Sequence, residues 1–213
     1  MMKRFLLLLA AVLLLLTGCS KGHRLERTAN GDGYLDTKSD IAYLQLDIAF
    51  EPAATGELVG TYTDKEWDIT VTLHEIPELD PTKFLADEDL NVYCVADATP
   101  NAADWQIEKI LVCDGDGVSV ERRRFTAELQ ADTVAQIRNL WFEGEEAGFL
   151  SLVEADKVYS IKLCSAAYPN LYYCFEFLYF ANGTSYFYNA VSHRSVEVPA
   201  ELVQLMHVSN GGN

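Results

Sequence analysis

Cationic residues are scarce in this 213-residue chain: 16 Lys and Arg stand against 32 Asp and Glu, for a formal charge of −16. Nucleic-acid phosphates are bound by clustered Lys and Arg, so this balance excludes a nucleic-acid partner. It also argues against adsorption to anionic lipid by charge alone. A bilayer-spanning helix is missing too. Crossing takes about 20 consecutive apolar residues, and the longest run, Phe5 to Leu16, has twelve. Metal-ligand spacing is absent: there is no C-x-x-C pair, and His23, His74, His193 and His207 are scattered. His74-Glu75 lacks the second histidine of a zinc-protease helix, and Pro77 would disrupt that helix. No nucleophile elbow, phosphate-binding loop or dinucleotide-binding glycine pattern occurs. Neither a cofactor nor a metal is expected, and the reading favours a non-enzyme.

What is present begins at the N-terminus. Lys3 and Arg4 precede the apolar run, and small residues then lead to a cysteine in Leu16-Thr17-Gly18-Cys19. A positive start, a short apolar core and a small-residue exit are the layout of a secretory signal. The Leu-Thr-Gly-Cys ending resembles the lipobox of bacterial lipoprotein precursors. That resemblance implies cleavage before Cys19, a diacylglycerol on its sulfur, and a place in the cell envelope, lipid-anchored on the extracytoplasmic side of a bacterial membrane. Removing residues 1–18 takes Lys3 and Arg4 away and leaves 195 residues carrying −18.

The expected organisation is a signal at 1–18, a lipidated cysteine and flexible tether at 19–39, one strand-rich domain at 40–208, and a disordered tail at 209–213. A tether of that length has a root-mean-square reach of about 25 Å. Within it, Asn30, Asp32, Gly33 and Asp36 match the middle of an EF-hand calcium loop. Thr28 and Ser39, however, occupy the first and last ligand positions where acids belong. A glycine-rich turn is the preferred reading.

From Ile41 onward the dominant hydrophobic period is two. Leu44, Leu46, Ile48 and Phe50 alternate with polar or small residues, as do Trp67, Ile69, Val71 and Leu73, and Tyr159, Ile161 and Leu163. Alternation of this kind marks antiparallel sheets with one buried face. Further strands are expected near 57–63, 90–97, 106–113, 118–125, 171–180 and 184–191. Tight turns are expected at Asp114-Gly115-Asp116-Gly117 and Asn182-Gly183. Helix is limited. Asp132 can cap a segment with Val134, Ile137, Leu140 and Trp141 on one face and Gly144 at its end. Asp80-Pro81 can start a short helical turn, and Pro199 a short terminal helix holding Leu202, Leu205 and Met206. The predicted class is α+β, a mainly antiparallel sheet with one principal amphipathic helix and a short C-terminal helix. If the domain has a seam, Ala98–Asp104 is the candidate.

Four cysteines remain in the mature chain. Cys164 and Cys174 lie symmetrically about Pro169, and Cys94 and Cys113 about Ala103-Asp104. Two hairpins turning at those points would bring each pair face to face for a disulfide. The alternative is four buried thiols acting as small apolar groups.

The chemistry-bearing candidates are few. His193 lies between Ser192 and Ser195, and acidic runs occur at Glu145-Glu146 and Asp87-Glu88-Asp89, which read as solvated loops. Aromatic residues crowd between Tyr168 and Tyr188. Both faces of strand 171–180 are mostly apolar, so that strand is expected to be central, with the Asp132 helix over one face. The layout from Ile107 to Met206 resembles small lipoproteins of Firmicutes. The function so implied is a membrane-anchored binding module or accessory partner of a membrane system, with an unidentified protein partner. The competing function is a lipid-anchored envelope hydrolase built from dispersed residues.

Overall fold

The period-two segments assemble into two sheets in this computed structural model, which describes residues 22–114, 124–129, 131–148 and 155–206. The first eight strands are β1 (His23–Arg27), β2 (Gly33–Asp36), β3 (Ile41–Gln45), β4 (Phe50–Pro52), β5 (Leu58–Asp64), β6 (Ile69–Glu75), β7 (Phe84–Ala86) and β8 (Val92–Cys94). After two short 3-10 turns, Ala96–Ala98 and Ala102–Asp104, come β9 (Ile107–Asp114), β10 (Arg124–Glu128) and helix α1 (Ala131–Glu143). Then follow β11 (Lys157–Ser165), β12 (Leu171–Tyr179), β13 (Ser185–Tyr188), β14 (Ser195–Glu197) and helix α2 (Ala200–Met206).

Seven strands close into a barrel in the order β1-β2-β3-β8-β7-β6-β5. All neighbours are antiparallel except the closure, where β1 runs parallel to β5 with His23 opposite Gly60. Glycine is required at this seam. A Cβ on Gly60 would sit 2.7 Å from the Leu25 side chain and 3.0 Å from the His23 carbonyl, so only a bare backbone allows the approach. Inward side chains fill the interior, as in other narrow barrels: Leu25, Tyr34, Tyr43, Leu73, Leu85 and Tyr93 form one buried cluster. Tyr34 meets Tyr93 edge-on at 5.3 Å.

The second sheet runs β10-β9-β11-β12-β13-β14, with β4 also paired to β12. β12 is central, as its two apolar faces predict. α1 lies over the face that carries Ile110, Val112, Ile161, Leu163, Phe175, Phe177 and Phe187. Trp141 stacks on Phe175 with centroids 4.3 Å apart, and the Gly144 amide closes the helix on the Leu140 carbonyl at 3.0 Å. α2 completes this core with Leu202 and Val203. The chain passes from barrel to sheet through Ala96–Asp104, across the predicted seam. A third cluster, with Phe50, Ile76, Phe84, Val92, Trp105 and Leu171, joins the two sheets there.

Several expectations are corrected. The flexible-tether reading does not hold over 23–36: residues 23–27 and 33–36 are strands of the barrel, with Tyr34 and Leu25 in its core. The polar composition of that stretch reflects the outer face of the barrel wall. The Leu44–Phe50 alternation is split at 46–49, because the Asp47 side chain accepts from the Ala49 amide and the Asp47 carbonyl from the Phe50 amide, both at 2.9 Å. That local turn breaks the ladder. Trp67 lies in the β5–β6 turn and is 71% exposed. The hairpin at Asp114–Gly117 falls largely outside the described residues, as do the 118–123 segment and residues 209–213.

The two disulfides are not formed; Cys94, Cys113, Cys164 and Cys174 are all buried and none is disulfide-bonded. In the β11–β12 ladder Cys164 pairs with Tyr172, and Cys174 with Lys162. The thiols are therefore diagonal neighbours, with Cα atoms about 7–8 Å apart, beyond the reach of a disulfide. Cys94 belongs to the barrel strand β8, opposite Leu44 and Phe84, while Cys113 lies on β9 opposite Ser160. Their symmetry about a turn does not survive because the intervening chain makes two 3-10 turns rather than a hairpin.

Candidate functional site

The edge of β12 has two partners. Leu171, Tyr172 and Tyr173 pair with β4, and Glu176 to Tyr179 pair with β13. Between them the Cys174 amide donates to the Ala49 carbonyl at 2.7 Å. From this point β4 turns back toward the barrel while β13 leads to the loop at 189–194. The divergence opens a cleft of about 250 Å³, floored by Phe50, Val92, Cys174 and Phe175. Ile48 and Val191 stand on its rim, 62% and 48% exposed.

Three loops frame the cleft, and each is ordered by one short polar side chain. Asp47 holds 46–49 as described above. Asp87 accepts from the Asp89 and Asn91 amides at 3.0 and 2.9 Å, from Asn91 Nδ2 at 2.8 Å and from the Tyr93 hydroxyl at 2.9 Å. Asn189 Oδ1 accepts from the Val191 and Ser192 amides, both at 2.9 Å. Side-chain to backbone bonds of this type are what Asp and Asn contribute to turns. The rim is thus held by the chain's own hydrogen bonds. Asp87 is buried, which corrects its reading as part of a solvated loop. Its role is structural.

The cleft is small. Pockets for drug-sized ligands and cofactors span about 300–1,000 Å³, so 250 Å³ suits one or two side chains. Its polar groups include Asp89 and Glu176. Cys174 at its floor is 6% exposed.

The other sequence candidates are dispersed. Cys19 lies outside the described residues. His193 Nδ1 sits 3.3 Å from the Tyr188 hydroxyl. Ser192 Oγ donates to Asn189, and Ser195 Oγ to the Gly148 carbonyl, so each flanking serine has an acceptor other than the imidazole. Glu146 pairs with Arg194 at 2.7 Å. Arg194 also donates to the Trp141 and Gly144 carbonyls at 3.1 and 2.9 Å, covering the end of α1. The calcium-loop positions separate. Asp32 belongs to the β1–β2 turn, where it accepts from Thr28 Oγ1 at 2.6 Å, and Asp36 ends β2. A strand holds them about 13 Å apart. Among the described residues no group of three or more His, Cys, Asp or Glu could hold a metal ion.

At the opposite end of the barrel, Asp36 accepts from Ser39 Oγ and lies against His23 Nδ1, both at 2.8 Å. The order is wrong for nucleophilic catalysis, in which the imidazole must stand between the serine and the acid. Burial opposes the charge of Asp36, but its bonds to His23, the Lys38 amide and Ser39 outweigh that and hold its carboxyl below the usual range.

Comparison with known protein families, with curated proteins and with solved structures finds no match. The cleft was not legible in the sequence, since its floor and rim come from segments far apart in the chain. Ile48, like Leu46, belongs to the alternating run yet has no place in a strand, and it is the exposed one.

Proposed function

We propose that the chain is a lipid-anchored extracytoplasmic binding module, held to a bacterial membrane through Cys19, that receives a protein partner in the cleft between β4 and β13. The observation that carries this reading is the pairing of a preformed rim with two exposed apolar residues, Ile48 and Val191. Preordered loops reduce the entropy lost on association, and an apolar pocket can take a single anchoring side chain. The acidic chain, together with Asp47, Asp89 and Glu176 near the cleft, favours a partner segment in which an apolar side chain is flanked by Lys or Arg. Confinement to the membrane raises the effective concentration toward neighbouring membrane proteins, so modest affinity suffices.

Mass spectrometry of the membrane fraction tests the anchor; the N-terminal peptide should begin at a modified Cys19, and protein retaining Met1 overturns it. A photo-cross-linking residue at position 191 tests the cleft in native membranes. One discrete adduct is expected, lost on Ile48→Asp. Absence of any adduct, or turnover of an envelope substrate that disappears on His193→Ala, would defeat the binding reading in favour of the hydrolase.

A further inference from the structure

The barrel has two distinct ends, and the chain enters at only one of them. β1 starts at His23, opposite Gly60 near the start of β5, and the two strands run parallel. The same end carries the β2–β3 turn at 37–40, where Lys38 Nζ lies 3.1 Å from His23 Nε2. Pro81 is also there, its carbonyl accepting from the Tyr43 hydroxyl at 3.1 Å. The turns at 28–32, 65–68 and 87–91 lie at the other end, because the strands leading into them run away from His23. The 46–49 loop leaves β3 at this far end as well, and it frames the cleft. β5 spans seven residues between the ends, about 20 Å.

The link to the anchor is short. Four peptide steps connect Cys19 to His23, and a fully extended chain covers at most about 14 Å over that number. Resting on the lipid-anchor reading above, we propose that the barrel end bearing His23, Lys38 and Thr82 lies against the phospholipid headgroup layer, so that the cleft and the exposed Trp67 point away from the membrane. The contact is imposed by the covalent link and not by charge, because Asp36 and Asp40 offset Lys38 at this end. A free tether of 20 residues would let the domain tumble. A link of this length is shorter than the barrel and orients it.

The test uses full-length, lipidated protein in phosphatidylcholine–phosphatidylglycerol vesicles containing a headgroup-nitroxide lipid. A fluorophore is placed on Lys38→Cys or on Glu66→Cys, both exposed positions, and the unsubstituted protein supplies the blank for its buried thiols. The Lys38 label should be quenched several-fold more than the Glu66 label. An insertion of about 15 Gly and Ser residues after Lys21, with a root-mean-square reach of about 20 Å, should erase the difference. Equal quenching without the insertion, or stronger quenching at Glu66, overturns the orientation while leaving the anchor intact. An unmodified Cys19 in the same preparation instead overturns the anchor and the orientation with it.

Discussion

Lys162 on β11 and Glu51 on β4 form an ion pair, Nζ to Oε2 at 2.9 Å, across 111 positions of sequence. Their side chains are 12% and 11% exposed, and the ammonium lies over the Tyr172 ring, 5.2 Å from its centroid. The pair ties the short strand β4, which forms one wall of the cleft, to the middle of the sheet.

Lys162→Met should destabilise the protein by about 3 kcal/mol, because it leaves the Glu51 carboxylate buried without its cation. Lys162→Met combined with Glu51→Leu should recover most of that loss, since an apolar pair of similar volume often replaces a buried ion pair. Urea unfolding of the three proteins decides it. Burial alone would lower the Lys162 pKa, but Cys174 and Glu51 outweigh it and hold the pKa above the ordinary lysine value of 10.5. The stabilisation is therefore complete at neutral pH and is lost as pH rises through the folded-state pKa.

The Asp36 carboxyl titrates in the opposite sense. Its folded pKa lies below the ordinary value of 3.8, so its contribution is present above that value and is lost as pH falls through the folded pKa. Asp36→Asn should flatten the acid limb of the stability profile below about pH 4 and leave the alkaline limb unchanged. Thermal unfolding at a series of pH values measures the difference between the two profiles.

Cys94, Cys113, Cys164 and Cys174 should all be recovered as thiols. Burial, partly offset by Lys109, pushes the Cys164 thiol up to about 11, and burial likewise raises Cys94. Thiolates are the reactive form and all four sulfurs are buried, so burial alone at Cys113 and Cys174, and burial with the raised pKa at Cys94 and Cys164, should confine alkylation at neutral pH to the denatured protein. Non-reducing peptide mapping that found Cys164 joined to Cys174 would contradict the β11–β12 register.

Two tryptophans should respond differently to truncation. Trp141 is buried and stacked on Phe175, and Trp141→Ala should cost about 3–5 kcal/mol. Trp67→Ser, at a turn exposed to solvent, should change stability by less than about 0.5 kcal/mol. Matched urea titrations compare them directly.

The legible parts of the fold are those governed by local pattern. The three- and four-residue spacing from Val134 to Trp141 and the stop at Gly144 place α1 correctly, because helix periodicity is encoded within a few residues; Asp132, read as the cap, lies instead inside the first helical turn. The alternation at Tyr159–Leu163 became β11, the segment 171–180 with two apolar faces became β12, and Asn182-Gly183 became the β12–β13 turn, with Gly183 at φ +89°. Reading fails where a turn depends on one side chain inside an alternating run, as at Asp47, or where polar residues coat the outside of a closed wall, as at 23–36.

The sequence by itself determined the acidity, the antiparallel strands and the position of the principal helix. Only the tertiary structure decided that β1 closes on β5 at Gly60, that Lys162 meets Glu51, and that β4 and β13 share the edge of β12 around a cleft. The reason is physical. A period of two states which face of a strand is buried, but the backbone hydrogen bonds that join strands are chemically alike. Partner choice therefore emerges from packing the whole chain.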